Sequence, residues 1–578
     1  MKKLIKNILM SLITFLAVLI YCKIIFKGNS YNILVSFLYF VIFYFYSKKE
    51  YNFDKRTKKY ALLLGLFVSL ILSVGSIVSS YIYQSAINIF NIRNILYFVV
   101  AMLGFSFFFY RLFGIMFNKI KTINFLENHD KMTWRSFLVI FIIILVGYLL
   151  YYIRFYPALM TTDSYYVLHY ANNFILSDFH SFGHTWFMGI FFHLGKILFS
   201  NMSMALGFAM FVQMVCMALI FTFAIYYLYN RGLKKKICLL LVLVYAFNPL
   251  HAYYSITLWR DIMFGGAFVL LFIAILDFLN CHSIKKRYIF LFIIGSLLML
   301  FFRNNGIYIF IFMVPFILLI LKKRRLLMSI LCGGILVFYF VIKGPVFDYF
   351  NVAKTTSVEA FSIPLQQIAR VIASGREIPD EDKAYLENLF TDYDQISNKY
   401  SSIISDPIKN LTNNDYLSNN KSQFLKTWLD LLIKYPNVYI EAYCLQTIGY
   451  WYPDIIYWAT AGAKDNYIFE SEPVLTDPLT PSWYNYIIDK TTSRNLPLSN
   501  LIWSVGLPFI LLVISSFVLC YLKNKKYLLC FIPLYGLWLS IMVATPVFSE
   551  LRYVYGLFTC LPLFIVLPFI VKSEKKRS

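Results

Sequence analysis

Residues 136–185 read SFLVIFIIILVGYLLYYIRFYPALMTTDSYYVLHYANNFILSDFHSFGHT, an almost unbroken apolar run followed within a short distance by two carboxylates and three of the chain's seven histidines. An apolar helix of about 20 residues is roughly as long as the hydrocarbon core of a bilayer is thick. The first part therefore reads as a membrane span and the second as what emerges from it. Ionisable groups at such an edge are costly to desolvate, so a cluster of them there marks a candidate site.

The pattern extends over all 578 residues, which are 60% hydrophobic, 20% aromatic and only 14% charged, with a mean hydropathy of +0.66. No soluble globular domain of this size tolerates such a composition on its surface. Apolar runs fall near 7–26, 31–47, 61–83, 94–117, 136–155, 203–228, 237–250, 258–279, 288–302, 305–321, 326–343, 500–522, 527–544 and 553–571, which predicts about fourteen spans. The expected fold class is mainly α: a polytopic transmembrane helix bundle with one mostly helical extracytoplasmic domain. The first run follows Lys2 and Lys3, lacks a small-residue cleavage site and is read as an anchor rather than a signal peptide. Tyr21 stands before Cys22 where a lipoprotein signal needs a small residue, so lipidation is not expected. Of the nine cysteines only Cys444 falls in a segment expected on the far face, and no disulfide framework is expected.

The formal charge of +24 is spread between the apolar runs rather than pooled in one domain. Basic clusters stand at Lys2/Lys3/Lys6, Lys48 to Lys59, Lys119 to Arg135, Arg231 to Lys236, Lys285 to Arg287, Lys322 to Arg325, Lys523 to Lys526 and Lys572 to Arg577. They occupy every second loop, the positive-inside pattern of a multi-pass protein of the cell membrane with both termini cytoplasmic. Attraction to anionic inner-leaflet lipid accounts for the charge without nucleic acid as a partner. Roughly two thirds of the 29 Asp and Glu lie between residues 344 and 499, the expected extracytoplasmic domain. Within it, 364–373 (PLQQIARVIA) has helical apolar spacing, 380–390 opens with acids as an N-terminal turn does, and Pro436 sits where a first helical turn accepts proline. Tyr- and Trp-rich stretches at 450–458 and 483–487 suit a lipid–water interface. The resulting organisation is an N-terminal module of about four helices (1–135), a transmembrane core (136–343) with a first large outer loop at 156–202, the polar domain (344–499), and C-terminal helices with a basic tail (500–578). No nucleotide-binding loop is present.

The other unusual polar residues fall on the outer side of this topology. Asp163, Asp178, His180 and His184 follow the fifth span. Arg260 and Asp261 follow a short outer loop, Arg303, Asn304 and Asn305 sit in a turn, and Glu550 and Arg552 lie in the last outer loop. One shared polar cavity explains the agreement, and separately snorkelling arginines are the alternative. Asp163 is the candidate general base, with a helix cap or Asx turn as the plainer role. His180 and His184 are four apart and share a helix face, which leaves open a divalent metal or a hydrogen-bonding role in holding the loop or a substrate. Arg260, Arg303 and Arg552 sit where positive-inside statistics disfavour cations. A phosphate would explain them through bidentate contacts, and ion pairs with Asp261 and Glu550 would explain two of the three. Arg303, with no acid nearby in sequence, is the stronger phosphate candidate, and Arg370 adds either a second positive contact or a surface charge.

These residues resemble the GT-C superfamily of integral-membrane glycosyltransferases. The resemblance rests on TTDSYY (161–166) and SDFHSFGHT (177–185), with TLWRD (257–261), FFRNNG (301–306), SIPLQQIAR (362–370), GYWYPD (449–454) and SELRYVY (549–555) similar to a bacterial branch, and it covers roughly residues 136–571. It implies a polyprenyl-phosphate-linked sugar as donor, used on the outer face on an envelope glycan or lipid acceptor, with Asp163 as the family's loop acid. Many members carry adjacent paired acids. Here Ser164 follows Asp163, which leaves Asp178 as a second acid and a metal cofactor undetermined. A lipid-linked oligosaccharide polymerase or ligase, a transporter or flippase of envelope precursors, and a non-catalytic scaffold are the competing readings. A transporter calls for broken midplane helices and matching halves.

Overall fold

In a computed structural model the described residues are 2–26, 41, 46, 51–84, 87–127, 130–280, 285–455, 457–458, 467–469, 472–474, 480–492 and 499–574. The expected span at 31–47 lies outside them apart from residues 41 and 46, as does the end of the basic tail. Helices α1 (Lys2–Phe26), α2 (Lys55–Ser79), α3 (Ile92–Ile120) and α4 (Trp134–Arg154) come first, followed by α5 (Thr162–Asn172) and α6 (Phe182–Leu198). Next come α7 (Met202–Asn230), α8 (Lys235–Phe247), α9 (Pro249–Ser255), α10 (Asp261–Asn280), α11 (Lys286–Phe302), α12 (Gly306–Ile320) and α13 (Arg325–Val341). Each expected apolar run within the described residues coincides with a helical stretch. The region 156–202, expected as an outer loop, holds the two helices α5 and α6.

Among the described residues, eight helical stretches are long and apolar enough to cross a membrane, or nine when α8 and α9 count as one span bent by 50°. The bend has a local cause: Asn248 accepts from the Leu250 amide (3.0 Å), and Pro249 restarts the helix at its first position. The protein is thus a mainly helical, multi-pass membrane bundle. α10 is buried on every face from Asp261 to Phe278, as expected of a helix with no polar stripe. α4 lies so close to α8 that a Cβ on Gly147 would meet Ala246 O at 2.2 Å.

The polar segment carries α14 (Ser362–Ala373), α15 (Asp380–Leu389), α16 (Lys421–Lys434), α17 (Pro436–Thr447) and α18 (Ser482–Thr492), close to the helices expected there. It also carries a short antiparallel pair, β1 (Tyr467–Phe469) with β2 (Glu472–Val474). Its own core, formed by Leu365, Ile368, Leu386, Leu389, Phe424 and Leu431 among others, stops near Tyr439. From Leu445 onward the side chains pack into the main core instead. The expected unit 344–499 is therefore a smaller domain plus a return segment laid on the bundle. The chain ends with α19 (Leu507–Tyr521), α20 (Ile532–Ala544) and α21 (Tyr555–Glu574). The expected boundary at 135 is not a packing boundary, because α2 puts Ala61, Leu64 and Val68 into the main core and Thr57 Oγ1 lies 2.8 Å from the Tyr521 hydroxyl.

The bundle has two polar ends. At one, Lys572 Nζ donates to the carbonyls of Ile120, Lys121 and Ile123 (2.6–2.8 Å), Leu126 pairs with Leu233, and Lys526 reaches Leu279 O, so the basic loops lie together. The unusual acids, arginines and histidines sit at the other.

Candidate functional site

The site is built on a short parallel pairing. Leu159 N donates to Ile256 O and Leu258 N to Leu159 O, both at 3.0 Å, which lays the segment before α5 beside the turn before α10. Ser164 Oγ accepts from the Thr161 amide (3.0 Å) and donates to Leu258 O (2.8 Å), while Trp259 Nε1 donates to Thr161 Oγ1 (2.9 Å). The N-terminus of α5 is thereby locked, and Asp163 sits in its first turn, where the helix dipole favours a carboxylate.

Arg552 enters from the start of the last membrane helix and donates to Asp163 Oδ2 (2.6 Å), while its Nε lies 3.2 Å from Glu550 Oε1. Its guanidinium stands 5.0 Å from the ring centre of Trp259, 5.3 Å from Tyr553 and 5.8 Å from Trp458. Arg303 pairs with Asp261 and lies 4.7 Å from the same Tyr553 ring. Two arginines from different helices thus share one tyrosine, each beside its own acid. The turn that carries Glu550 is held by GYWYPD: the Glu550 amide donates to the Tyr450 hydroxyl (3.1 Å), which donates to Val547 O (2.8 Å). Gly449 is required there, since a Cβ would meet Ser549 Cβ at 2.2 Å.

The pairing of arginines differs from the expectation in one respect. Arg303, the stronger phosphate candidate by sequence, is taken by Asp261. Arg260 has no carboxylate within ion-pair distance among the described residues and spends Nη1 on Phe179 O (3.1 Å) and Ser181 Oγ (3.3 Å). Burial and the neighbouring Arg303 lower its pKa from the ordinary arginine value. Adjacent residues at a helix start diverge, so Asp261 faces the α11–α12 turn while Arg260 faces Asp163 and the loop before α6.

Asp163 differs from the other acids in exposure. Its side chain is 44% exposed, against 2% for Glu550 and 2% for Asp261. Burial opposes its ionisation, but Arg552, with Arg260 behind it, prevails and holds the carboxyl below its ordinary range. Burial dominates at Glu550 and, reinforced by Asp261 and Asp163 against the pull of Arg552, pushes it up to about 7. His180 stacks on Tyr166 at 5.5 Å, and burial together with Arg260 brings it down to about 4, so it is neutral at physiological pH.

Four expected site residues stand elsewhere. Asp178 is paired with Lys343, a residue the sequence reading passed over as the end of an apolar run. Asn304 donates to Asp178 O and to Thr355 Oγ1, both at 2.9 Å, and Lys343 reaches Asn304 Oδ1 (3.2 Å). This second cluster fastens the α5–α6 connection to residues 343–355, so Asp178 and Asn304 act as a clamp here. Arg370 lies in the polar domain, donates to Ile87 O (3.2 Å) and faces Glu441 at 3.7 Å, and its charge is spent on tying that domain to the loop after α2. His184 is fully buried, burial pushes it down to about 3, and neither ring nitrogen has a hydrogen-bond partner among the described residues. The described residues contain no group of three or more His, Cys, Asp or Glu arranged to hold a metal, so His180 and His184 do not form a metal centre with them. Sequence reasoning had not singled out Tyr553, Trp259 and Trp458 individually, although all lie in or beside the quoted motifs.

No curated protein and no solved structure matches the chain. One family model matches residues 144–578, from within α4 to the end, leaving α1, α2 and α3 among the described helices outside the match. With that match spanning most of its length, the chain belongs to DUF6020, a family of unknown function.

Proposed function

We propose that this protein is a membrane glycosyltransferase that moves a sugar from a polyprenyl-phosphate-linked donor to an envelope glycan or lipid acceptor. In this reading it sits in the cell membrane with about fourteen spans, both termini cytoplasmic and the polar domain outside. The observation that carries the proposal is the half-exposed Asp163, held ionised by Arg552 at the edge of a cluster containing Arg260 and Arg303. The chemistry has two requirements. The acceptor hydroxyl must lose its proton as its oxygen attacks the anomeric carbon, and Asp163 takes it. The bond from that carbon to the phosphate oxygen breaks, and the departing phosphate carries away the electron pair as negative charge. Three arginines face three acids, one of which, Glu550, is held near neutrality by burial, so the cluster keeps a positive excess to meet that charge. Arg260, unpaired with any described carboxylate, is the residue assigned to the phosphate.

The test is transfer by the purified protein in lipid, from radiolabelled polyprenyl-phosphate sugars to an envelope-glycan acceptor, with Asp163→Asn as the comparison. Loss of at least about a hundredfold is expected. Full transfer by the variant would remove Asp163 from the mechanism. No transfer with any donor, together with substrate flux into vesicles, would assign the protein to transport.

A further inference from the structure

The opposite end of the bundle holds a second feature, independent of the proposed transfer site. A cavity of about 790 Å³, within the range of ligand sites, opens between the starts of α2 and of the stretch before α20 and the ends of α10, α19 and α21. Four cations line it, Arg56, Lys523, Lys525 and Lys526, and no Asp or Glu is among the described residues that do. The nearby acid Asp54 is already held by Lys121 at 2.8 Å.

Capping of helix ends accounts for part of this charge. Arg56 Nη2 donates to Cys520 O (2.9 Å) and Lys526 Nζ to Leu279 O (3.4 Å), the carbonyl ends of α19 and α10. Capping leaves the rest unexplained. The Lys523 and Lys525 side chains make no hydrogen bond or ion pair among the described residues. Arg56 Nε, Asn280 Nδ2 and Asn524 Nδ2 have no acceptor among them either, although Asn524 is more than nine-tenths buried. A concave wall with four cations, two of them lysines whose side chains are unspent, and no facing carboxylate calls for an acceptor-rich anion. Tyr60, Tyr527 and Val571 supply an apolar margin, and the cavity lies at the ends of apolar helices, where reading those helices as membrane spans puts lipid headgroups.

We propose that this cavity binds the phosphate-bearing headgroup of an anionic phospholipid, with Lys523, Lys525 and Arg56 on the phosphate. The experiment is native mass spectrometry of the full-length protein in detergent, titrated with phosphatidylglycerol and, separately, with inorganic pyrophosphate. Lys523→Ala/Lys525→Ala is compared with wild type and with Lys286→Ala/Lys323→Ala, which removes equal charge from other loops at the same end. The tightest phosphatidylglycerol is expected to bind the cavity variant about thirtyfold more weakly, roughly fivefold per lysine, while the control changes little. Lys523→Arg/Lys525→Arg is expected to restore binding, which separates lost charge from lost fold. Equal lipid retention by the cavity variant and wild type would overturn the proposal. Pyrophosphate binding that depends on these lysines while lipid retention does not would overturn the lipid source and assign the cavity to a soluble phosphate compound.

Discussion

Asp163 in the first turn of α5 and Asp178 in the connection after it each meet one cation, yet their surroundings assign them opposite work. Asp178 is 11% exposed, with Lys343 on one oxygen and its backbone locked to Ala353 and Asn304, so no face of it is open to a reactant. Asp163 is 44% exposed, and the side chains around it are arginines and aromatic rings. A carboxylate enclosed by hydrogen bonds is a fastener; one held on a single side by a guanidinium retains free lone pairs for an incoming hydroxyl. An acidic residue just outside a span therefore says little until the number of its occupied lone pairs is known.

The sharpest way to break this comparison is to exchange the two phenotypes. Asp163→Asn is expected to lower transfer by about a hundredfold to ten-thousandfold while barely moving the thermal midpoint in detergent, since a half-exposed pair contributes about 1 kcal/mol or less. Asp178→Asn is expected to do the reverse, keeping transfer within a few fold and costing about 1–3 kcal/mol. Both are read by the same pair of measurements, label transfer and thermal unfolding. A silent Asp163→Asn with an inactive Asp178→Asn would invert the assignment.

Within the arginine cluster the same contrast separates Arg303 from Arg260. Arg303→Met strands Asp261, a carboxylate buried at the start of the central helix, and is expected to cost about 3–5 kcal/mol in thermal or denaturant unfolding. Arg303→Met/Asp261→Asn should recover much of that loss. Arg260→Ala removes no described ion pair. Its expected effect is a rise of roughly tenfold to a hundredfold in donor KM, corresponding to about 1.5–3 kcal/mol for a charged hydrogen bond, with a smaller loss of stability than Arg303→Met because only the hydrogen bonds to Phe179 O and Ser181 Oγ are removed. A lowered midpoint without a change in KM would make Arg260 a structural residue.

The sequence carries some of this and hides the rest for identifiable reasons. Apolar runs mark helices because length and composition are local properties, and the described runs all fall on helices. TTDSYY, TLWRD, FFRNNG, GYWYPD and SELRYVY converge at one end because alternate loops of a multi-pass chain share a face. Pairing within that end depends on side-chain direction, which spacing does not encode: Asp261 follows Arg260 directly yet pairs with Arg303. Lys343 reads as the ordinary end of an apolar run, although the positive-inside reading puts it at the outer end of a span, where charge statistics disfavour a lysine and supply a usable signal. Arg370 required knowing that the loop near Ile87 folds under the polar domain, a contact between distant stretches. The packing of α2 against α19 is hidden for the same reason, since it joins stretches far apart in the chain.

A pH dependence distinguishes Glu550 from Asp163 although both face Arg552. Burial holds the Glu550 carboxyl up to about 7, whereas in the unfolded chain it ionises near the ordinary value of 4.5. Between about pH 4.5 and 7 the unfolded chain therefore releases a proton that the folded chain keeps. This group's contribution makes stability fall as pH rises across that window and leaves it flat above. Glu550→Gln is expected to abolish the fall in unfolding measurements made from pH 5 to 8. Transfer should respond in the same interval: once Glu550 ionises it competes with Asp163 for Arg552 and lowers the positive excess that receives the phosphate. The wild type is then expected to show donor binding that weakens as pH rises through about 7, and the Glu550→Gln variant binding that does not. Asp163, held below its ordinary range by Arg552, contributes nothing to that inflection, so an inflection near neutral pH that persists in Glu550→Gln would belong to another group.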